Sequence, residues 1–348
     1  MPYEVKALEM RSAKAPYERT TITRRDPGPD EIVIDIKFAG ICHSDIHTAR
    51  GEWGKVDYPI TPGHEIAGIV SAVGEGVTKF KVGDRAGVGC FVDSCGVCKN
   101  CRNGEENACK DRTIWTYNDT GRDGLPTAGG YSEKIVVREG YALHIPESIP
   151  LDQAAPLLCA GITPYSPLVR YGAGPGKKVA IVGLGGLGHM GVQLAHAMGA
   201  EVTVLSRSLR KKADGLELGA DHYYATEDPE TFKNLRDTFD IIISTVSDDL
   251  DVDAYVKMLD MGGVLCFIGM PPGAQSFHLG GHLAGAHASI SGSNIGGIQA
   301  TQDMLDFCAE HGIGAKIELI NADEVTDAYD KVVAGKVHFR YVIDISTL

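Results

Sequence analysis

The sequence lacks any long apolar run and any block of basic residues. No stretch of about 18 apolar residues occurs, the length that a membrane-spanning helix needs. The opening residues, MPYEVKALEMRSAKAPYERT, lack the apolar core of a secretion signal. The formal net charge of −13 repels nucleic-acid backbones and anionic membranes. These absences argue against membrane and nucleic-acid partners, and they predict a cytoplasmic protein.

Internal repeats and low-complexity tracts are also absent, and the 348 residues, 43% of them hydrophobic, suffice for two domains of about 100–200 residues each. Residues 1–155 contain many short β-type segments, such as EIVIDIKFAG and YSEKIVVRE, broken by glycine and proline. The pattern of apolar residues then changes, and it predicts a strand (Val179–Val182), a glycine turn, a helix (His189–Met198) and a second strand (Val202–Leu205). A βαβ unit of this kind predicts an α/β domain with a parallel sheet.

Nine cysteines are present, and in a reducing compartment clustered cysteines are more often metal ligands than disulfides. Cys95, Cys98 and Cys101 form two overlapping CxxC units, and Cys109 follows closely. Four thiolates on one short lobe are typical of a tetrahedral structural zinc site. A redox CxxC is the alternative, whereas the spacing fits neither common ferredoxin pattern.

A second group of possible ligands is scattered along the chain. Cys42 opens the polar stretch GICHSDIH, His64 and Glu65 lie in TPGHEIAG, and Cys159 lies in LLCAG. Two cysteines and one histidine with an open fourth position are typical of catalytic zinc. A buried core cysteine is the alternative for Cys159, and it is the expected role for the three remaining thiols, Cys90, Cys266 and Cys308.

The glycine turn GLGGLG predicts a dinucleotide site, because it follows a strand and opens a helix. Gly183 permits the tight turn, Gly185 lets the backbone approach a pyrophosphate, and Gly188 lets helix and sheet pack closely. Gly186 and Leu187 lie within the same turn.

The second strand of the βαβ unit ends without the acidic residue that an NAD site uses for the ribose hydroxyls. Ser206, Arg207 and Ser208 stand in its place, with Lys211 among further basic residues close behind. Because the helix dipole disfavours cations in a first helical turn, a bound 2′-phosphate would explain them. The alternative is a solvated basic start of a helix.

A set of motifs runs nearly end to end along the chain: GICHSDIH, PGHEIAGIVSAVGEGV, GDRAGVGC, the four-cysteine lobe, LLCAGITPYSPL, GLGGLG, SRSLRKK and SGSNIGG. The chain thereby resembles the zinc-containing medium-chain alcohol dehydrogenases, and among them the cinnamyl-alcohol-dehydrogenase branch. The resemblance implies a GroES-like β-rich catalytic domain (1–155 and 296–348) with a structural zinc lobe (95–109), and a Rossmann NADP-binding domain (156–295). The active site would lie in the cleft between them.

The resemblance also implies residue roles. Cys42, His64 and Cys159 would hold the catalytic zinc, and Glu65 would ligate it transiently. Ser44 would receive the alcohol proton and pass it through the nicotinamide ribose to His47, while Asp45 would orient His64. Further cofactor contacts are implied at Thr163, Thr245, Gly269, Ser293, Asn294 and Arg340.

The implied reaction is hydride transfer between a primary alcohol or an aldehyde and NADP(H), in a homodimer with two zinc ions per subunit. The residues expected to line the substrate pocket are Trp53, Trp115 and Ile295, although two tryptophans in a chain are more often core residues. One rival interpretation is an NAD-dependent zinc polyol dehydrogenase, which the missing acid disfavours. Another is a dehydrogenase-like binding protein without turnover, which should have lost zinc ligands or the proton relay.

Overall fold

The computed structural model describes residues 2–270 and 273–348 of the chain. The strands are β1 (Tyr3–Met10), β2 (Tyr17–Arg24), β3 (Glu31–Gly40), β4 (Ile66–Val73), β5 (Arg85–Val88), β6 (Phe91–Asp93), β7 (Ile114–Trp115), β8 (Lys134–Arg138), β9 (Leu143–His144), β10 (Lys178–Val182), β11 (Glu201–Ser206), β12 (His222–Ala225), β13 (Phe239–Ser244), β14 (Leu259–Phe267), β15 (Ser289–Gly292), β16 (Ile317–Ile320) and β17 (Arg340–Asp344). The α-helices are α1 (His43–Ala49), α2 (Lys99–Arg102), α3 (Leu151–Pro156), α4 (Ile162–Arg170), α5 (Gly188–Ala197), α6 (Lys212–Glu217), α7 (Pro229–Asn234), α8 (Val252–Val256), α9 (His282–Gly285), α10 (Ile298–His311) and α11 (Val325–Val333). Among the helices described, none combines the length and the apolar composition that a membrane crossing requires.

The chain forms two compact units. The first unit contains Met1–Cys159 and Gly296–Leu348, and the second contains Ala160–Ile295. A π-helical turn, Leu157–Gly161, joins α3 to α4 where the chain leaves the first unit. Cys159 lies in the middle of this turn, and π-helical turns are frequent at functional sites.

The first unit is built around β3. This strand pairs antiparallel with β4, β8 and β17, and the order of the sheet is β16-β17-β3-β4-β5-β9, with β8 added at β3. Ile32, Val33 and Ile34 of β3 are fully buried, as a nearly continuous apolar segment predicts for a central strand. The strand-rich C-terminus returns to this sheet, where Val342 pairs with Gly40.

The second unit is a six-stranded parallel sheet in the order β12-β11-β10-β13-β14-β15. Counted from β10, this is the strand order 3-2-1-4-5-6 of a Rossmann fold, whose ligands bind at the carboxyl ends of the strands where the order reverses. Here the order reverses between β10 and β13. The predicted βαβ unit is confirmed as β10, α5 and β11.

Candidate active site

Four buried metal-binding side chains come together in the first unit. Cys42 directly precedes α1, His64 and Glu65 directly precede β4, and Cys159 lies in the π-helical turn. One ligand atom from each lies within 4.8 Å of all the others, and the two sulfurs are 3.9 Å apart. Two sulfurs bound tetrahedrally to zinc at about 2.3 Å lie about 3.8 Å apart. The separation of the two sulfurs therefore fits a zinc ion bound by both.

A buried carboxylate orients the histidine of this cluster. Asp45 is 0% exposed, and its Oδ1 accepts hydrogen bonds from His64 Nδ1 at 2.9 Å and from the Gly63 backbone N–H at 3.1 Å. Its Oδ2 accepts from the backbone N–H of Cys42 at 3.0 Å. Because Nδ1 of His64 is engaged, the ring presents Nε2 to the cluster, as metal-binding histidines commonly do.

Glu65 forms a fully buried ion pair with Arg340, whose Nη2 donates to Oε1. The other carboxylate oxygen, Oε2, has no hydrogen-bond partner in the part of the chain that the structure describes. Burial raises the pKa of Glu65 to about 8, although the charge of Arg340 acts in the opposite direction. An orphaned buried oxygen at this place fits a ligand that can exchange on a metal. Arg340, which the resemblance assigns to the cofactor, lies here against Glu65.

The two thiols of the cluster are hydrogen-bonded to each other, and their pKa values are shifted in opposite directions. The hydrogen bond with Cys159 lowers the pKa of Cys42 well below its usual value, and His64 acts in the same direction. The same bond raises the pKa of Cys159, and Cys90 contributes to that rise. A thiolate is thus available to a metal, since the thiolate and not the thiol is the ligand.

Cys90 corrects one expectation from the sequence. It was expected in the core, but it is only partly buried, and its thiol interacts with that of Cys159 beside the cluster. The other two thiols expected in the core, Cys266 and Cys308, are fully buried.

The cysteine lobe forms a second cluster, in which the sulfurs of Cys95, Cys98, Cys101 and Cys109 lie within 4.8 Å of one another. Backbone N–H groups point at these sulfurs, and those of Cys101 and Lys110 lie 3.5 Å from Cys98 Sγ. These bonds lower the pKa of Cys98 to about 6. Four thiol ligands and no proton-transfer group fit a closed, structural zinc site.

The proposed proton relay begins beside the catalytic cluster. The Ser44 hydroxyl lies 3.6 Å from Cys42 Sγ. His47 Nδ1 donates to Glu52 Oε2 at 2.5 Å, and the Trp53 ring stacks on His47 with centroids 5.0 Å apart. Trp53 is 49% exposed and is therefore not a core residue. Glu52 was missed by the sequence reasoning, although an acid five residues after His47 was a visible signal.

The glycine turn follows β10 in the second unit. Gly183 has a φ of +90°, and a Cβ on it would lie 2.7 Å from the side chain of Val246. A Cβ on Gly188 would lie 2.0 Å from the Gly183 carbonyl oxygen, whereas one on Gly185 would meet no atom within 4 Å. Gly183 and Gly188 are therefore required by the backbone, and Gly185 leaves open space where a ligand can approach. Gly186 and Leu187 of the turn are partly buried.

Polar groups at the end of β11 lie where the sequence predicts a phosphate site. Ser206 is partly buried, while Arg207 and Ser208 are exposed. Lys211 lies in the short 3₁₀ turn that follows, and its Nζ donates to the carbonyl of Leu184 in the glycine turn at 3.0 Å. Lys211 thus lies beside the glycine turn within the same unit.

Most of the other predicted cofactor residues also lie at the carboxyl edge of this sheet. Thr245 follows β13, Gly269 follows β14 by two residues, and Ser293 and Asn294 follow β15. Thr163 is buried in α4.

Of the remaining predicted pocket residues, Trp115 is 39% exposed in the first unit. Ile295 is buried in the second unit with a φ of 46°, which is strained for a β-branched residue.

Comparison with known proteins gives the same assignment along the whole chain. Residues 28–147 match the model of the alcohol dehydrogenase GroES-like domain, and residues 186–310 match that of the zinc-binding dehydrogenases. The chain is 59% identical over 344 residues to NADP-dependent alcohol dehydrogenase C of Mycobacterium bovis, covering 99% of both chains. It is 47% identical over 348 residues to aldehyde reductase YahK of Escherichia coli, again covering 99% of both.

Among solved structures, the chain is similar to the cinnamyl alcohol dehydrogenase from Helicobacter pylori complexed with NADP(H), with a TM-score of 0.93 and 42% identity over 99% of both chains. Both family models and the relatives agree with the two metal clusters and with the Rossmann sheet. The chain therefore belongs to the zinc-binding dehydrogenases of the medium-chain alcohol dehydrogenase family, and it is an oxidoreductase.

Proposed function

We propose that this enzyme interconverts primary alcohols and aldehydes by hydride transfer with NADP(H), with broad-range aldehyde reduction as its main activity. The observation that carries the proposal is the buried cluster of Cys42, His64 and Cys159, with Asp45 behind the histidine and Ser44 beside the sulfur. The names of two relatives, NADP-dependent alcohol dehydrogenase C and aldehyde reductase YahK, support the same chemistry.

Each group near the cluster has a role in this reaction. Zinc bound there supplies Lewis acidity, which polarises a carbonyl and lowers the pKa of an alcohol, and the nicotinamide supplies the hydride chemistry. Ser44 holds the substrate oxygen and moves its proton, and His47 exchanges that proton with solvent because it is partly exposed. Asp45 keeps His64 in the tautomer that ligates metal.

The cofactor preference follows from the end of β11. Ser206 and Arg207 offer donors to a 2′-phosphate, and residues 206–212 contain no carboxylate that could bind the ribose hydroxyls. One or two charge-assisted hydrogen bonds of about 1.5–3 kcal/mol each predict a preference for NADPH of roughly 10- to 10⁴-fold in kcat/KM. The relative from Helicobacter pylori, whose structure contains NADP(H), supports this assignment.

A panel of aldehydes assayed with NADPH and with NADH tests the function and the preference together. Arg207→Ala should lower kcat/KM with NADPH and leave kcat/KM with NADH unchanged. Ser206→Asp combined with Arg207→Ala should reverse the preference between the two cofactors. Arg236→Ala removes an equal charge from an exposed site after α7 and serves as the matched control. Comparable efficiencies of the two cofactors in the wild type would show that Ser206 and Arg207 do not read the phosphate, and a preference for NADH would favour the polyol dehydrogenase interpretation. Absence of turnover with every aldehyde would favour a non-catalytic binding protein.

The remaining assignments are proposals of the same kind. Residues 1–155 and 296–348 would form the catalytic domain, with Cys159 as the one ligand of its two metals that lies beyond residue 155, and residues 156–295 would otherwise hold the cofactor. Trp53, Trp115 and Ile295 would line the substrate pocket, and their replacement by alanine should change KM between aldehydes more than kcat. We also propose a homodimer in the cytoplasm, and light scattering of the purified protein measures its mass in solution.

A further inference from the structure

Three tyrosines of the first unit form a connected chain of hydroxyl groups, in which Tyr131 and Tyr329 are buried and Tyr17 is partly buried. Tyr17 comes from β2, Tyr329 from α11, and Tyr131 from the segment that leads into β8. Tyr17 Oη donates to Tyr329 Oη at 2.8 Å, and Tyr329 Oη donates to Tyr131 Oη at 3.3 Å. The rings of Tyr17 and Tyr329 also pack edge to face at 5.1 Å. The mechanism proposed above uses none of these three residues.

The chain of hydroxyls ends on the carboxylate that orients His64. Tyr131 is 0% exposed, and its hydroxyl donates to Oδ2 of Asp45 at 3.5 Å. Each oxygen of Asp45 thus accepts from at least one backbone donor and one side-chain donor, and Tyr117 also interacts with this carboxylate. Oδ1 receives Gly63 N–H and His64, while Oδ2 receives Cys42 N–H and Tyr131.

All three hydroxyls point the same way, toward the negative charge. Burial, together with the charge of Asp45, raises the pKa of Tyr131 well above its usual value, so this phenol remains a donor at every working pH. A buried hydroxyl has to find a partner, and Asp45 is the acceptor that the described residues give to Tyr131.

We propose that Tyr131 is a positioning residue for the catalytic metal: it holds Asp45 in the orientation in which Asp45 fixes His64, and it thereby slows loss of the metal from the cluster. The inference rests on the proposed zinc site. Groups behind a metal-binding histidine commonly change metal affinity about 10- to 100-fold. The 3.5 Å hydrogen bond from Tyr131 is longer than the three other hydrogen bonds to Asp45 given above. Loss of this bond should therefore change metal retention by about five- to tenfold, at or below the low end of that range.

The test is release of zinc to a coloured chelator from the holoenzyme, followed in time for the wild type and for Tyr131→Phe. The lobe of four cysteines is the internal reference, because Tyr131 makes no hydrogen bond to it among the described contacts. We expect the rate of zinc release from the catalytic cluster to rise about five- to tenfold and the rate of release from the lobe to stay unchanged. After replacement of the catalytic zinc by Co²⁺, the visible absorption bands should shift in Tyr131→Phe, because the orientation of His64 changes.

Two further variants separate positioning from general damage to the core. Tyr329→Phe removes the hydroxyl that donates to Tyr131, and it should accelerate zinc release from the catalytic cluster by a smaller factor. This variant keeps the test valid if Tyr131→Phe does not fold. Tyr255→Phe removes a buried phenol from the second unit and should leave both release rates unchanged. Equal acceleration of both release rates, or unchanged release with unchanged Co²⁺ bands, would overturn the inference. A wild type that releases only one zinc would instead overturn the proposed catalytic site.

Discussion

Gly185→Ala isolates what the glycine turn contributes to cofactor binding, because the protein leaves room for a methyl group at this position. A Cβ on Gly185 meets no atom within 4 Å, and its backbone does not need the left-handed region. We therefore expect the free enzyme to keep its stability, or to gain about 0.4–1 kcal/mol from the reduced entropy of its unfolded chain. In the complex the methyl group occupies the space through which the backbone approaches the pyrophosphate. The dissociation constant of NADPH should rise about tenfold or more, which corresponds to about 1.4 kcal/mol.

Gly188→Ala is the matched control in the same turn. Its Cβ would lie 2.0 Å from the carbonyl oxygen of Gly183, which is backbone and cannot swing aside. Overpacking of this kind costs about 1–3 kcal/mol, so this variant should unfold at lower urea concentration. The assay is urea unfolding of each free protein and fluorescence titration with NADPH. A destabilised Gly185→Ala, or one that binds NADPH as tightly as the wild type, would refute the assignment of Gly185 to the pyrophosphate.

Metal analysis should give two zinc ions per chain. Cys101→Ser should lower the stability of the protein, because structural zinc binding is coupled to folding. Cys42→Ser should abolish turnover and leave the melting temperature largely unchanged. A single zinc in fully active enzyme would contradict the two-site assignment. His47→Gln should slow alcohol oxidation by about 10²–10⁴-fold, most strongly at low pH where no solvent base can substitute, and an unchanged pH–rate profile would remove His47 from the relay. Glu52→Gln keeps the shape of its partly exposed side chain and removes its charge, so it should slow the reaction only about two- to fivefold, the equivalent of less than about 1 kcal/mol. A loss as large as that of His47→Gln would mean that Glu52 itself carries the proton.

The local parts of the fold were predictable because their signals lie within a few residues of one another. The βαβ unit from Val179 to Leu205 needs only apolar runs and a glycine turn, and its three elements occur where the sequence predicts them. The cysteine lobe is equally local, since its four ligands lie between Cys95 and Cys109. Short-range spacing determines both features, so one sequence suffices to find them.

Features that depend on distant pairing were not predictable from spacing. Glu65 meets Arg340 only because β17 returns to the sheet of the first unit, and no local pattern in either segment indicates the other. Tyr131 reaches Asp45 for a similar reason, through packing between segments far apart in the sequence. Cys90 lies beside Cys159 although its apolar neighbours are typical of a core cysteine. Such contacts follow from the topology, which the residue pattern constrains only loosely.

The return of the last strand to β3 has a consequence for the order in which a newly made chain can fold on the ribosome. The second unit, Ala160–Ile295, is continuous, so all of its strands are available once residue 295 has emerged. The first unit is interrupted by it, and the edge of β3 near Gly40 waits for Val342, which is made after the whole of the second unit. Domains generally fold as units during synthesis, and pairing between distant segments is slow. All four side chains of the candidate metal cluster are therefore made long before the strand that closes their sheet and brings Arg340 to Glu65, so this cluster is completed only after the second unit has been made.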